Sequence, residues 1–464
     1  MKKYDYIIIG GGPTGLTLAY LLSKNNYSVG LFEKENYLGG CHGVHRIDGL
    51  FSEHGPRIYI DNYLMFQELL KEFGTSFYDL FTPYQFGLSD SIKEAYNNLS
   101  IREIIILGLA FLFLNNSYKK ISLEDFCNTH NFSQKAKLFL DRIGRLTDGG
   151  GADKYTFYSF LQILNQNSLY TIYQPKLPND IGLFKIWEKV LKSQQVDIYL
   201  NTPVEKFIYN TNYNTNIEAI QTKDNKYYAD KFILAIPPYS IKSMNLNDAF
   251  NIDNFNKWAN DTNYLTYIPI TFHWKTKLNL PKIWGLPKTS WGIGHIVLSN
   301  YTDFQDARSQ TVITSLITMY NKSDHLNKTP NEISNKDILI YEVFRQLQTI
   351  YKNLPEPDYA LMTQNYYNYE HKKWVPRHTA FMTTKLGYLE NQSNKFSNLY
   401  NCGVQNGLSN YSFTSLESSI VNAMELFNIL VPNKKIKIKN ITTVREVLFI
   451  IILLILFIFY WKIR

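Results

Sequence analysis

Apolar positions near the start of the chain fall into a readable order. Residues 6–9 form an unbroken apolar run, Gly10-Gly11-Gly12-Pro13-Thr14-Gly15 follows, residues 16–22 continue at helical spacing, and a second apolar run closes on Glu33. Strand, glycine turn, helix, strand and acid in that order predict the opening unit of a Rossmann-like dinucleotide site. Gly10 permits the tight turn out of the strand and Gly12 lets the backbone approach a pyrophosphate. Gly15 lets helix and strand pack closely, leaving the phosphates on the positive helix end that Pro13 and Thr14 open. Glu33, eighteen residues after Gly15, is spaced to take the ribose hydroxyls of an adenosine.

Further along, residues 104–114 form a second apolar run, broken only by Gly108 and bounded by Asn115-Asn116. It is too short to span a bilayer and predicts a core helix in preference to a segment lying on a membrane surface. Residues 120–175 read as amphipathic helices broken at Asp148-Gly149-Gly150-Gly151. A turn and helix at 178–191 and strands at 197–200, 204–209, 218–222, 226–229 and 231–236 return the chain to the nucleotide-binding sheet. Aromatic-rich strands at 267–274 and 292–298, with a helix at 336–351, predict a second domain whose sheet lines a ligand cavity. A short strand at 399–403 precedes a helix at 414–430, opened by Thr414-Ser415 with Glu417 in its first turn. The nucleotide domain is thus assembled from 1–85, 178–240 and 381–432. A substrate domain takes 86–177 (helical) and 241–380, followed by a basic linker at 433–446 and a tail at 447–461.

That tail is apolar and aromatic throughout, preceded by Lys434, Lys435, Lys437, Lys439 and Arg445 and followed by Lys462 and Arg464. Its fifteen residues make roughly 22 Å of helix, short of the ~30 Å hydrocarbon core. Arg445 and Lys462 are able to snorkel, and Tyr460 and Trp461 suit an interface. A helix apolar on every face has little left to pack against after a lysine-rich linker, so a single-pass C-terminal anchor is expected rather than a buried terminal helix. Met1-Lys2-Lys3 runs directly into the first strand without a signal peptide, so the body is expected to face the cytosol.

Composition changes this picture little. The 464 residues, 45% hydrophobic and 19% charged, are ordinary for a globular chain of two or three domains. The net charge of +8 is spread along the chain, and no nucleic-acid partner is expected. Cys41, Cys127 and Cys402 form no CxxC pair, so neither a disulfide framework nor a metal site is indicated.

Taken together, the glycine loop, Glu33 followed by Gly39-Gly40, Ala235-Ile236-Pro237-Pro238, and Asn401-Cys402-Gly403 with Thr414-Ser415-Leu416-Glu417-Ser418-Ser419 resemble the flavin amine oxidase superfamily. That group includes amine oxidases, protoporphyrinogen oxidases and phytoene desaturases. The resemblance covers nearly the whole chain except the tail. It implies an α/β fold: a Rossmann-like FAD-binding domain built from discontinuous segments, plus a mixed sheet and helix substrate domain. It further implies FAD in extended form, and oxidation of a C–N or C–C bond in a small molecule by hydride transfer; the expected anchor would suit a hydrophobic substrate delivered from the bilayer. The cofactor contacts it implies are Gly10, Gly12, Pro13, Thr14, Gly15, Glu33, Lys34, Gly40, Gly55, Pro56, Arg57, Val204, Gly403, Thr414, Ser415 and Leu416. The second helix N-terminus, at Thr414 to Glu417, would offer N–H groups to the flavin pyrimidine edge.

His54-Gly55-Pro56-Arg57 resembles a segment of protoporphyrinogen oxidases that passes near the flavin, and also one of UDP-galactopyranose mutases, where His usually follows the Pro. Arg57 in that place weakens the mutase reading and supplies a cation for the flavin or an anionic substrate, a plain surface arginine being the alternative. Trp374-Val375-Pro376-Arg377 resembles the segment that sets an aromatic beside the flavin, so Trp374 joins Arg57 as a catalytic candidate. Lys275 and Lys277 are candidates for a lysine near flavin N5. Two positions depart from the family pattern: Cys41, where members often carry Arg, and Val404, where they carry Asp. His42, His45 and Arg46 are near enough in sequence to replace the missing cation. The other readings are a non-redox flavin mutase and a catalytically inactive FAD-binding membrane protein.

Overall fold

The computed structural model describes residues 2–463 apart from 56, 85–87, 166–170, 210–215, 245, 247–248, 251, 263, 265, 282–287, 381–384 and 410–414. Its largest sheet is built around the opening strand Lys3–Ile9, which lies parallel between Val29–Phe32 and Lys226–Leu234. Asp197–Tyr199 and Leu399–Asn401 extend it on either side, also in parallel. A chain can place parallel strands side by side only through crossovers, which is why separated segments contribute to one sheet. The antiparallel pair Lys206–Tyr209 and Ile217–Gln221 continues the sheet from the first half of Lys226–Leu234.

Both faces of this sheet are covered, which accounts for its continuous apolar runs. Helices Pro13–Lys24, Leu64–Glu72, Leu183–Ser193 and Leu416–Leu430 pack on one face around Ile8, Leu18, Trp187 and Phe427. Helices Pro238–Ser243 and Ile252–Asp261 cover the other around Ile7, Phe232 and Ile241.

A second, antiparallel sheet runs in the order Gly294–Val297, Thr311–Ile317, Ile268–Trp274 and Tyr359–Leu361. The helix Lys336–Ile350 buries one of its faces with Trp274, Trp291 and Phe344. The other face meets a hairpin, Val44–Ile47 with Leu50–Glu53, to which His273 Nε2 is bound through Phe51 O at 2.8 Å. Helices from Ile101–Leu112 to Phe157–Leu164 share a fourth core around Phe126, Phe157 and Leu161. The helical reading of 120–175 fails at its end: Ile172–Pro175 is a strand, pairing with Tyr59–Ile60 and Phe81–Pro83. Its β-branched and aromatic residues find two partners far along the chain, which local periodicity cannot register.

The tail differs from expectation in length. The helix Val444–Ile463 has 20 residues, or about 30 Å, matching the hydrocarbon core. It begins ahead of the apolar run because Glu446 Oε2 accepts from Thr443 N at 2.7 Å, capping the first turn. None of its Val444–Lys462 stretch is buried, so the alternative of a buried terminal helix is excluded, and among the described residues it is the one helix long and apolar enough to cross a membrane. The preceding basic segment is strapped to the body. Ile436, Ile438 and Ile441 pack on the first core, and Asn428 holds Ile436 through both its N–H (2.7 Å) and C=O (3.0 Å).

Candidate cofactor and active site

The first helix begins without a side-chain cap. Gly12 is its N-cap and Pro13 its first residue, so backbone N–H groups there are left for something other than the chain's own side chains. Gly10 has φ +114°, and a Cβ on it would overlap Ala235 O. A Cβ on Gly15 would overlap Gly10 O, so strand and helix approach to a distance only glycine allows. Gly12 and Gly40 face each other across a slot of bare backbone, a Cβ on Gly12 lying 3.9 Å from Gly40 Cα. Glu33 closes this end. It is buried, with Oε2 accepting from Gly11 N at 2.7 Å and Oε1 from Glu35 N at 2.9 Å, and burial raises its carboxyl above the usual range. Each oxygen keeps a lone pair for a hydroxyl donor.

At the other end stands the N-terminus of Leu416–Leu430. Ser415 caps it by accepting from Ser418 N at 3.0 Å, and Thr14 Oγ1 donates to Ser419 O at 3.3 Å, so the two helix starts are tied together. Glu417 does not face this space. Its Oε1 and Oε2 accept from Met65 N (2.7 Å) and Phe66 N (2.9 Å), capping the helix Leu64–Glu72. Burial pushes its pKa up to about 7.

One cavity of ≈ 630 Å³ joins the two ends. Gly10, Gly12, Pro13, Thr14, Glu33, Lys34, Gly40, Arg57, Val204, Gly403, Ser415 and Leu416, all singled out from the sequence, line it. Gly15 stands behind the wall as a packing residue, and a Cβ on Gly55 would lie 3.3 Å from Leu316 and 3.8 Å from Tyr267, two lining residues. Pro56 and Thr414 lie outside the described residues. Beyond the glycine slot the wall becomes apolar, with Tyr63, Leu146, Ile163, Ile172, Tyr267 and Leu316.

Arg57 sits where the cavity changes character. Its Nη2 donates to Cys41 O, beside the Gly40 slot, and its Nε is buried without a hydrogen-bond partner among the described residues. The three residues expected to replace the missing family arginine do not supply a free cation. Arg46 is held by Asp180 (Nε 2.5 Å, Nη2 3.0 Å), and burial drives His42 and His45 below their ordinary range, toward the neutral form. Lys34 and Arg377 complete the cationic lining. Next to Arg57 in sequence, Glu53 and His54 are 7% and 1% exposed, and neither ring nitrogen of His54 has a partner among the described residues. Burial raises Glu53 to about 7 and holds His54 well below its usual range. Glu53 is thus able to take up and release a proton near neutral pH, while His54 stays uncharged there.

Two sequence expectations are corrected. Trp374 is not a wall of this cavity: it packs in the core of the second sheet, its Nε1 donating to Ile333 O at 2.9 Å. Its hairpin, Asn365–Asn368 with Lys373–Pro376, instead presents Arg377 and His378. Lys275 and Lys277 are also elsewhere, the former 3.8 Å from Asp358 and the latter donating to Ser299 O. Sequence reading missed Tyr37 and His378, which line the cavity and bond to each other at 2.9 Å. They are 341 positions apart, and no local pattern joins them.

Comparison with known proteins fits this geometry. The NAD(P)-binding Rossmann-like domain family matches residues 8–73. A UDP-galactopyranose mutase of Mycoplasma pneumoniae is 39% identical over 61 residues, 12% of this chain and 15% of that enzyme. A 4,4'-diaponeurosporene oxygenase of Staphylococcus aureus is 37% identical over 65 residues, 14% of this chain and 13% of that enzyme. The chain thus spans about a seventh of the length of these curated relatives. Likeness of structure reaches much further. Putrescine oxidase bound to putrescine superposes with a TM-score of 0.63 over 93% of this chain and 99% of that one, at 12% identity. The chain has the amine oxidase fold. Cyclohexylamine oxidase from Brevibacterium oxydans IH-35A shares it, with a TM-score of 0.62, 11% identity and coverage of 93% and 99%. In this chain the glycine slot, Glu33 and the second helix start meet at one cavity, which Cys41 and Val404 also line.

Proposed function

We propose that this chain is an FAD-dependent oxidoreductase that oxidises a C–N or C–C bond of a small, hydrophobic molecule. The observation that carries the reading is that a single cavity runs from Glu33, past the Gly12–Gly40 slot and the start of helix Pro13–Lys24, to Ser415 and Leu416 and on into an apolar chamber. Glu33 would take the adenosine ribose, the slot and helix start the pyrophosphate, and Ser415 with Leu416 the pyrimidine edge. When bound, FAD supplies a two-electron acceptor for a substrate hydride. The chain's own part is positional. Arg57 would offset negative charge beside Gly40, and Tyr267, held by its hydroxyl on Leu146 O at 2.8 Å, would fix one wall of the substrate chamber. Leu146, Ile163, Ile172 and Leu316 favour an apolar substrate and exclude water from it. The helix Val444–Ile463 is read as a membrane anchor with the body in the cytosol, which suits a substrate drawn from the bilayer.

Anaerobic mixing of the flavin-loaded, full-length protein with polyamines, porphyrinogens and carotenoid precursors tests the reaction. Bleaching by a member of one class is the expected result. Turnover of a UDP-sugar with no net oxidation would instead favour a mutase, to which the 39% match over 61 residues draws attention. Flavin that no candidate bleaches would favour an inactive membrane flavoprotein.

A further inference from the structure

The helix Ile101–Leu112 is apolar on two sides, with Ile106, Leu107, Ala110 and Phe111 packed on the helical core. Glu103 and Ala110 face inward at 2% and 5% exposure, while Ile101, Ile105, Leu109 and Phe113 stand 76%, 54%, 50% and 66% exposed. Spaced four apart, these side chains form one outward stripe along about 18 Å of helix. The orientation is fixed. Ser100 and Glu103 make a capping box, and Glu103 Oε1 also accepts from Ser133 N at 2.6 Å, pinning the inward side to the body. The core helix expected from this run therefore carries a second apolar stripe on the surface, where a contiguous patch marks a contact with something apolar.

Position says what covers it. The stripe ends at Phe113, whose ring lies 6.3 Å from that of Phe449 on the C-terminal helix, and the two helices touch. Between them lies a groove lined by Leu112, Phe113, Ile441, Phe449 and Ile450. The C-terminal helix leaves from a fixed point, because Arg445 N donates to Asn165 Oδ1 at 3.1 Å and Lys439 Nζ lies 3.1 Å from Glu68. Exposed Lys119 and Lys120 follow the stripe, and exposed Lys434, Lys435 and Lys437 precede the C-terminal helix, the arrangement that anionic headgroups favour.

We propose that the stripe Ile101, Ile105, Leu109 and Phe113 is a second membrane contact, seated at the headgroup–acyl boundary of the bilayer that the C-terminal helix crosses. The proposal rests on reading that helix as an anchor. It gives the catalytic body one orientation on the membrane and brings the bilayer to the helical layer that supplies Leu146 and Ile163 to the cavity wall. Ile163 is two residues from Asn165, which holds the start of the anchor. The substrate class that fits is a lipophile dissolved in the membrane.

The test uses the full-length protein in phosphatidylcholine–phosphatidylglycerol vesicles with brominated acyl chains. An environment-sensitive thiol dye is placed at Leu109→Cys, at Phe457→Cys in the anchor, and at Tyr341→Cys on the far domain, the equally treated parent chain giving the background from native cysteines. Leu109→Cys and Phe457→Cys are expected to lose roughly half their fluorescence or more, and Tyr341→Cys none, with Phe113→Cys repeating the result at Leu109. Quenching at Phe457 alone overturns the second contact and leaves the anchor standing, whether the stripe meets water or a second copy of the chain. Quenching at neither site overturns both.

Discussion

Gly15→Ala is expected to give a chain that holds no flavin. A Cβ at this position would overlap Gly10 O and lie 3.3 Å from Ala235 Cβ, and both obstacles belong to the backbone turn or the central sheet rather than to a flexible side-chain tip. The helix Pro13–Lys24 can accept the methyl only by moving off the strand, which displaces its N-terminal N–H groups from the Gly12–Gly40 slot. The helix also packs against Leu416–Leu430, so the shift spreads to the second helix start through the Thr14 to Ser419 bond. Loss of about 1–3 kcal/mol is the usual scale for overpacking a core, with rigid backbone obstacles such as these at its upper end or beyond. Thermal unfolding and visible absorbance of the purified variant check it, and a variant with parental melting temperature and flavin content would refute it.

Glu417→Ala is expected to cost about 2–5 kcal/mol, because it leaves the N–H groups of Met65 and Phe66 buried and unpaired at the start of helix Leu64–Glu72. The same residue predicts the sign of the pH dependence. Its folded-state pKa of about 7 stands above the ordinary value of 4.5, so the folded chain binds this proton more tightly than the unfolded one. Stability from this group is complete below about 4.5 and is lost as pH rises through about 7; Glu53, also raised to about 7, adds in the same direction. Denaturant titrations between these limits should show the parent weakening toward neutral pH and Glu417→Ala weakening less over the same range. A parent equally stable across that window would contradict the assignment.

How legible all this was depends on how local each signal is. Gly10 to Gly15, Glu33 and the capping serine Ser415 carry their roles in a few neighbouring residues, and each stands at the cavity or directly behind it. The parallel sheet followed from its apolar runs for the same reason. Trp374 was misplaced because its motif fixes a hairpin, while the register of Tyr367 opposite Trp374 decides which side chain enters the core. The hairpin Val44–Glu53 and the strand Ile172–Pro175 are short and owe their form to partners far along the chain. The run at 104–114 is a helix that packs on the core through Ile106, Leu107, Ala110 and Phe111, as its hydrophobicity predicts, but hydrophobicity alone does not tell which of its apolar residues face outward; that is set by the Glu103 to Ser133 bond and the helices around it. Glu417 carried a first-turn signal, yet its carboxylate serves another helix.

The central claim is that the cavity between Glu33 and Ser415 holds FAD. Full-length protein purified in detergent is to be scanned for flavin absorbance, denatured, and the released cofactor identified by chromatography against FAD, FMN, NAD and NADP. The account predicts FAD, close to one per chain, with the amount falling sharply in Gly15→Ala. Protein that is colourless and takes up no FAD on reconstitution, or that releases a nicotinamide dinucleotide in its place, would contradict it.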